Sequence, residues 1–264
     1  MKYPQVSRYL FFIALTLFSC GKDPENVPGP SSLSNEPAEI MVVMLDSIPD
    51  GSGYTYIAVP TGTGPFPAIL YNHGGLGPNV GGNLRETARA LAEAGYVARS
   101  EKRAETFPIA GHLVEVEQAF ADLKAHPDVD IQRMGMIGFS RGGLLTLQAG
   151  IIHSDELCAT VCMAPAAAGI ELSNTLADVS MFNDSLLIMV ALNDLYQANH
   201  VQLAQDVQNA MVAASKNSRL VQYLEFDANF DSIIDSNDDG HELFWEVREP
   251  YWSDLIQFLD RQLK

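Results

Sequence analysis

The chain has 264 residues, 47% of them hydrophobic. That suits one large domain with a substantial core and excludes a disordered chain or a pair of small domains. Its 33 acidic and 16 basic residues give a formal charge of -17, which excludes electrostatic attraction to nucleic acid or to anionic lipid and favours a neutral or weakly cationic substrate.

Residues 1–19 read as a signal peptide. Lys2 and Arg8 give a positive start, and "YLFFIALTLF" is an apolar run too short to span a bilayer and stay there. The "LFSC" that ends at Cys20 resembles a bacterial lipoprotein lipobox. That resemblance implies cleavage before Cys20, lipid attachment to its sulfur and an exported protein of the cell envelope, touching membrane only through the lipid. Residues 20–37, "CGKDPENVPGPSSLSNEP", have the composition of a flexible tether. Their acidic start resembles the signal that sends some bacterial lipoproteins to the outer-membrane surface.

Residues 38–264 alternate apolar β-rich runs with helical patterns, which predicts an α/β fold with a mostly parallel eight-stranded sheet and helices on both faces. "EIMVVML" and "YTYIAVP" come first as an antiparallel pair, followed by "PAILYN", "YVARS", "RMGMIGF", "ATVCMA", "SLLIMVAL" and "LVQYLEF". The helical patterns are Leu84 to Ala94 after an Asn83 cap, Val114 to Ala125, Arg141 to Ile152, Val201 to Ala214 and Trp252 to Leu263. About twenty residues join "ATVCMA" to "SLLIMVAL", too few for a large cap domain. Cys158 and Cys162, four apart in one strand, would have α-carbons about 13 Å apart, beyond disulfide reach of each other, and read as core thiols.

Within "MGMIGFSRGGLLTLQAG", Gly138-Phe139-Ser140-Arg141-Gly142 fits G-x-S-x-G, the turn that lifts a serine between a strand and a helix. A serine hydroxyl needs a base to take its proton, and that base needs a carboxylate to fix its tautomer. Asp194, closing "SLLIMVALND", and His241, before the last helix, supply them in the order expected of such a sheet. Asp184 and Asp178 compete less well because they precede the strand. Attack on a carbonyl also needs backbone N–H donors for the oxyanion. Arg141, at its helix start, supplies one; Gly75, or else Leu76, supplies the other from the loop at His73-Gly74-Gly75. His73 reads as part of that loop rather than a proton carrier. Arg141's side chain, the run Glu101-Lys102-Arg103 and the histidines 112, 126, 153 and 200 read as surface or helix-end residues.

These motifs resemble the α/β-hydrolases, near the dienelactone-hydrolase-like and acyl-peptidase-like serine esterases. "HPDVDIQRMGMIGFSRGG" is similar to that branch's approach to its nucleophile, "ILYNHGG" to its oxyanion loop, and "ALND" and "DGHELF" to its acid and base. The resemblance implies a serine hydrolase acting on carboxylic esters, with short-acyl or carbohydrate-linked esters as substrates and no required cofactor. A dienelactone hydrolase proper has cysteine where this chain has Ser140, so its lactone substrate does not carry over. A serine peptidase of related fold and a non-catalytic surface binding protein are the alternatives. Separately, Asp235, Asn237, Asp239 and Glu246 satisfy the calcium-loop spacing D-x-[DN]-x-[DN]-G-x5-E, which makes a structural calcium a further expectation beside the plainer one of a solvated acidic turn.

Overall fold

The computed structural model describes residues 43–49, 54–77, 79–228 and 239–264. The expected signal peptide, Cys20, the tether, Asp235 and Asn237 lie outside them. Among the described residues no helix is long and apolar enough to cross a membrane.

Eight strands form one sheet in the order β1-β2-β4-β3-β5-β6-β7-β8. They are β1 (Val43–Pro49), β2 (Tyr54–Pro60), β3 (Phe66–Asn72), β4 (Val97–Glu101), β5 (Val129–Phe139), β6 (Leu157–Met163), β7 (Ser185–Ala191) and β8 (Ser218–Tyr223). β2 runs antiparallel to β1 and β4; every later pairing is parallel. Parallel neighbours need crossovers, and helices supply them.

α1 (Leu84–Glu93) and α7 (Tyr251–Leu263) cover one face; α2 (His112–Lys124), α3 (Arg141–Ile152) and α5 (His200–Ala213) cover the other. Period-2 alternation in the strands feeds both cores. In β5, Ile137 and Phe139 pack with Leu91 and Leu255, whereas Met134 and Met136 pack with Phe120 and Leu145. Asn83 caps α1 as predicted, its Oδ1 accepting from Glu86 N at 3.1 Å.

The β6–β7 connection holds only α4 (Glu171–Ala177) and a 3-10 turn (Val179–Met181), so no large cap is inserted there among the described residues. The sequence pattern did not show α4, nor α6 (Asp239–Glu242), because helices this short have no apolar period to detect. β5 also begins four residues before "RMGMIGF": its first turn of sequence, with Ile131 and Gln132 exposed, lacks the core pattern. Cys162 is a free buried thiol. Cys158, four residues earlier in β6, is buried as well.

Candidate active site

β5 ends at Phe139 and α3 begins at Arg141, so the whole change of direction falls on Ser140, at φ 53° and ψ -117°. A positive φ in a residue with a Cβ is strained and persists only where neighbours enforce it. Here Ser140 N donates to Met163 O at 2.8 Å, and Ser140 O accepts from Ala166 N at 3.0 Å. The flanking glycines are steric necessities. A Cβ on Gly138 would lie 2.2 Å from Gly142 O, and one on Gly142 would lie 2.0 Å from Asn72 O.

Asp194 follows β7 and is fully buried. Its neighbour Asn193 holds the segment after β8 by two hydrogen bonds, donating to Phe226 O at 2.8 Å and accepting from Phe226 N at 3.0 Å. His241 comes from α6. Its Nδ1 lies 3.0 and 2.9 Å from the two Asp194 carboxylate oxygens, and its Nε2 lies 3.0 Å from Ser140 Oγ. A carboxylate can only accept, so Nδ1 carries the proton and Nε2 is left to accept from the serine hydroxyl. Three residues remote in sequence thus form one chain of hydrogen bonds able to take a proton from Ser140 and hold the resulting imidazolium beside a carboxylate.

A cavity of about 620 Å³ opens onto this chain, lined by Gly75, Leu76, Ser140, Arg141 and His241 among others. Arg141 is the first residue of α3, so its N–H has no partner within the helix and sits at the positive helix end. Gly74 and Gly81 pair across the opposite wall, Gly74 N to Gly81 O at 2.8 Å and Gly81 N to Gly74 O at 3.1 Å. Gly75 has φ +94°, and a Cβ there would lie 1.9 Å from Asn79 O, so only glycine fits. The three expected oxyanion donors therefore border one cavity with the serine. A larger cavity, about 860 Å³ between α1 and α7, contains none of these residues.

Several side chains differ from expectation. His200 and His112 each open a helix but are buried. His200 packs on His241 with ring centroids 4.4 Å apart, and burial holds it below the ordinary histidine range despite the pull of Asp194. Arg103, expected on a solvated face, is 5% exposed; α2 and the oxyanion loop cover it, and period-based reading does not see tertiary cover. Arg141 reaches the cavity wall and donates from Nη2 to Phe107 O at 2.8 Å. Asp184 immediately precedes β7, at the opposite end of the strand from Asp194, and accepts a hydrogen bond from the Thr160 hydroxyl. Asp178 caps α4. In the calcium pattern, Glu246 accepts from Asn83 Nδ2 at 2.9 Å and Asp239 from Ala228 N at 3.3 Å.

No family model matches the chain. No curated protein matches it by sequence. Solved structures do. A provisionally named dienelactone hydrolase from Klebsiella pneumoniae subsp. pneumoniae shares 20% identity over 84% of this chain and 99% of its own, with a TM-score of 0.62. An α/β-hydrolase enzyme from a Medee basin deep-sea metagenome shares 14% over 84% of this chain and 98% of its own, at 0.60. Pyrococcus horikoshii acylaminoacyl peptidase shares 16% over 86% of this chain, at 0.61. Of that peptidase the chain spans only 42%. At these identities the likeness establishes the fold, and the fold is that of the α/β-hydrolases.

Proposed function

We propose that the chain is a serine hydrolase that cleaves carboxylic esters through an acyl-enzyme intermediate on Ser140. The observation that carries this reading is the continuous hydrogen-bond chain from Ser140 Oγ through His241 to Asp194. Ser140 Oγ attacks the ester carbonyl carbon while its proton passes to His241 Nε2, and the carbonyl oxygen becomes an oxyanion facing the N–H groups of Arg141 and of Gly75 or Leu76. Collapse breaks the bond to the alkoxy oxygen, which leaves with the proton from His241. Water then repeats the sequence on the acyl-enzyme, releasing the acid and restoring Ser140. These side chains and N–H groups supply every proton and charge contact, so the reaction as written requires no cofactor.

The cavity suggests the substrate class. Ala166, Ala167 and Ala168 form one small-residue wall beside the nucleophile, whereas Phe107, Tyr196 and Trp245 bring rings to the rim. Phe107 is 65% exposed, an apolar ring in water at the rim of the cavity, as binding sites often present. A short acyl group on a ring-bearing polar alcohol, such as a sugar ester, fits these walls and the short β6–β7 connection. The likeness to acylaminoacyl peptidase keeps a peptidase as the second reading; turnover of acyl-amides above that of matched esters would favour it.

The expected experiment is direct. Wild-type protein becomes covalently labelled by a fluorophosphonate and hydrolyses short acyl esters, and Ser140→Ala does neither. Hydrolysis retained by Ser140→Ala sinks the reading, and a wild-type protein that neither labels nor hydrolyses is the binding protein instead. We further propose export as a lipoprotein. Mass analysis of the N-terminal peptide should find lipid on Cys20; a Cys20 without lipid would rule it out.

A further inference from the structure

Arg103 follows β4 and is buried, yet among the described residues it makes no ion pair, and its Nε and Nη1 have no hydrogen-bond partner. Burial brings the guanidinium down to about 10, so it remains a cation at neutral pH. A buried cation with idle donors is costly, and each such group calls for a reason. What it does hold is His73: Nη2 donates to the His73 carbonyl, and the Arg103 backbone N donates to His73 Nε2 at 3.0 Å.

That second bond decides the tautomer. Nε2 accepts, so the ring proton is on Nδ1, which donates to Gly74 O at 2.5 Å. Arg103 Nη2 also lies 3.5 Å from Nδ1 but faces a nitrogen that already bears hydrogen, so the carbonyl is its true acceptor. Gly74 O receives a second bond from Gly81 N at 3.1 Å. This oxygen belongs to the same amide as the Gly75 N–H.

We infer that His73 and Arg103 are a positioning pair that fixes the plane of the Gly74–Gly75 peptide and polarises its N–H as the oxyanion donor. The inference rests on the esterase reading of Ser140. Two hydrogen bonds drawn onto the carbonyl oxygen strengthen the donor at the other end of the amide, by the mutual polarisation that operates along hydrogen-bond chains. Their effect is reserved for the moment the oxyanion forms, so it belongs to turnover and not to substrate affinity. Burial and, next, the Arg103 charge hold His73 well below the usual histidine range, which keeps the ring neutral and the tautomer unchanged.

The test uses the full chain with His73→Leu, which removes the donor, and His73→Asn, whose amide nitrogen can stand near Nδ1. With a short acyl ester, His73→Leu should lower kcat by roughly tenfold or more, part of what loss of a whole donor costs, and leave KM within about twofold. Affinity for a short-chain trifluoromethyl ketone, which captures the oxyanion on Ser140, should fall by the same factor, and His73→Asn should recover most of both. Wild-type kcat in His73→Leu, or a kcat loss without a matching loss of ketone affinity, overturns the inference. Should His73→Leu fail to fold, nitrogen NMR of the wild-type ring decides: His73 must stay neutral with hydrogen on Nδ1 from about pH 5 to 8. A ring that titrates in that range, or carries hydrogen on Nε2, overturns it. Failure of the esterase reading shows separately, as hydrolysis retained by Ser140→Ala.

Discussion

Gly240 packs so closely on Asp194 that a Cβ at residue 240 would lie 2.6 Å from the Asp194 backbone nitrogen. The contact seats α6 against the end of β7 and so sets where His241 hangs. Gly240→Ala must move one backbone or the other, pulling the imidazole from its carboxylate. A misplacement near 1 Å can cost about a hundredfold in turnover. Steady-state kinetics should show that loss in kcat, beside a lowered melting temperature.

Asp194 fixes the His241 proton on Nδ1. Asp194→Asn can present an N–H to that nitrogen, which drives the ring to the opposite tautomer and puts hydrogen on Nε2, facing Ser140. In a serine triad this exchange lowers kcat by about four orders of magnitude. The fold should survive, so the melting curve stays near wild type while hydrolysis nearly disappears.

Gly75→Ala tests the oxyanion loop. The substitution faces both a positive φ and a 1.9 Å clash with Asn79 O, so the loop must re-form and its N–H groups turn away. Turnover is expected to fall by about 100- to 1000-fold. Fluorophosphonate labelling should slow as well, because phosphonylation develops charge on the same oxygen.

Asp184 governs a pH dependence of stability. Burial pushes its carboxyl up to about 8, outweighing the hydrogen bond from Thr160. An unfolded aspartate ionises near about 3.9. Between those values the folded chain keeps a proton that the unfolded chain has released, so stability falls as pH rises, by up to about 1.4 kcal/mol per pH unit from this group. Below about 4 both states hold the proton and above about 8 neither does. Asp184→Asn removes this slope. Urea unfolding should find the variant more stable than wild type above pH 7 and close to it near pH 4.

Calcium at the acidic loop is a proposal separate from catalysis. Binding would require Glu246 to exchange its Asn83 partner for the ion. If the loop binds, millimolar calcium added after chelator treatment raises the melting temperature and leaves ester hydrolysis unchanged. An unchanged melting temperature ends the proposal.

The parts of the fold legible in the sequence were those set by local pattern. The helix over Arg141–Ile152 matches residue for residue, and the others match within a few residues, because their caps and apolar periods are carried in the segment itself. The glycines around Ser140 were legible for the same reason, each being required by backbone within a few residues or on the adjoining strand. What escaped depends on distant cover. Nothing near Arg103 signals burial, since what encloses it arrives from α2 and the loop after β3. His200 opens an ordinary amphipathic helix, and only the folded sheet brings its ring onto His241. A strand pattern also overran its end at β8, where "LVQYLEF" continues past Tyr223 after pairing with β7 has stopped.

Phe107, Tyr196 and Trp245 stand on three separate connections, after β4, after β7 and after α6, while Ser140 is braced by the sheet itself. Recognition and chemistry are therefore divided between replaceable edges and a fixed floor. If Ser140 is the nucleophile, swapping Phe107 or Trp245 for a smaller or a charged side chain is a route to new leaving groups one wall at a time, whereas Tyr196, whose ring stacks on His241 with centroids 5.1 Å apart, cannot be changed without touching the bond-breaking centre.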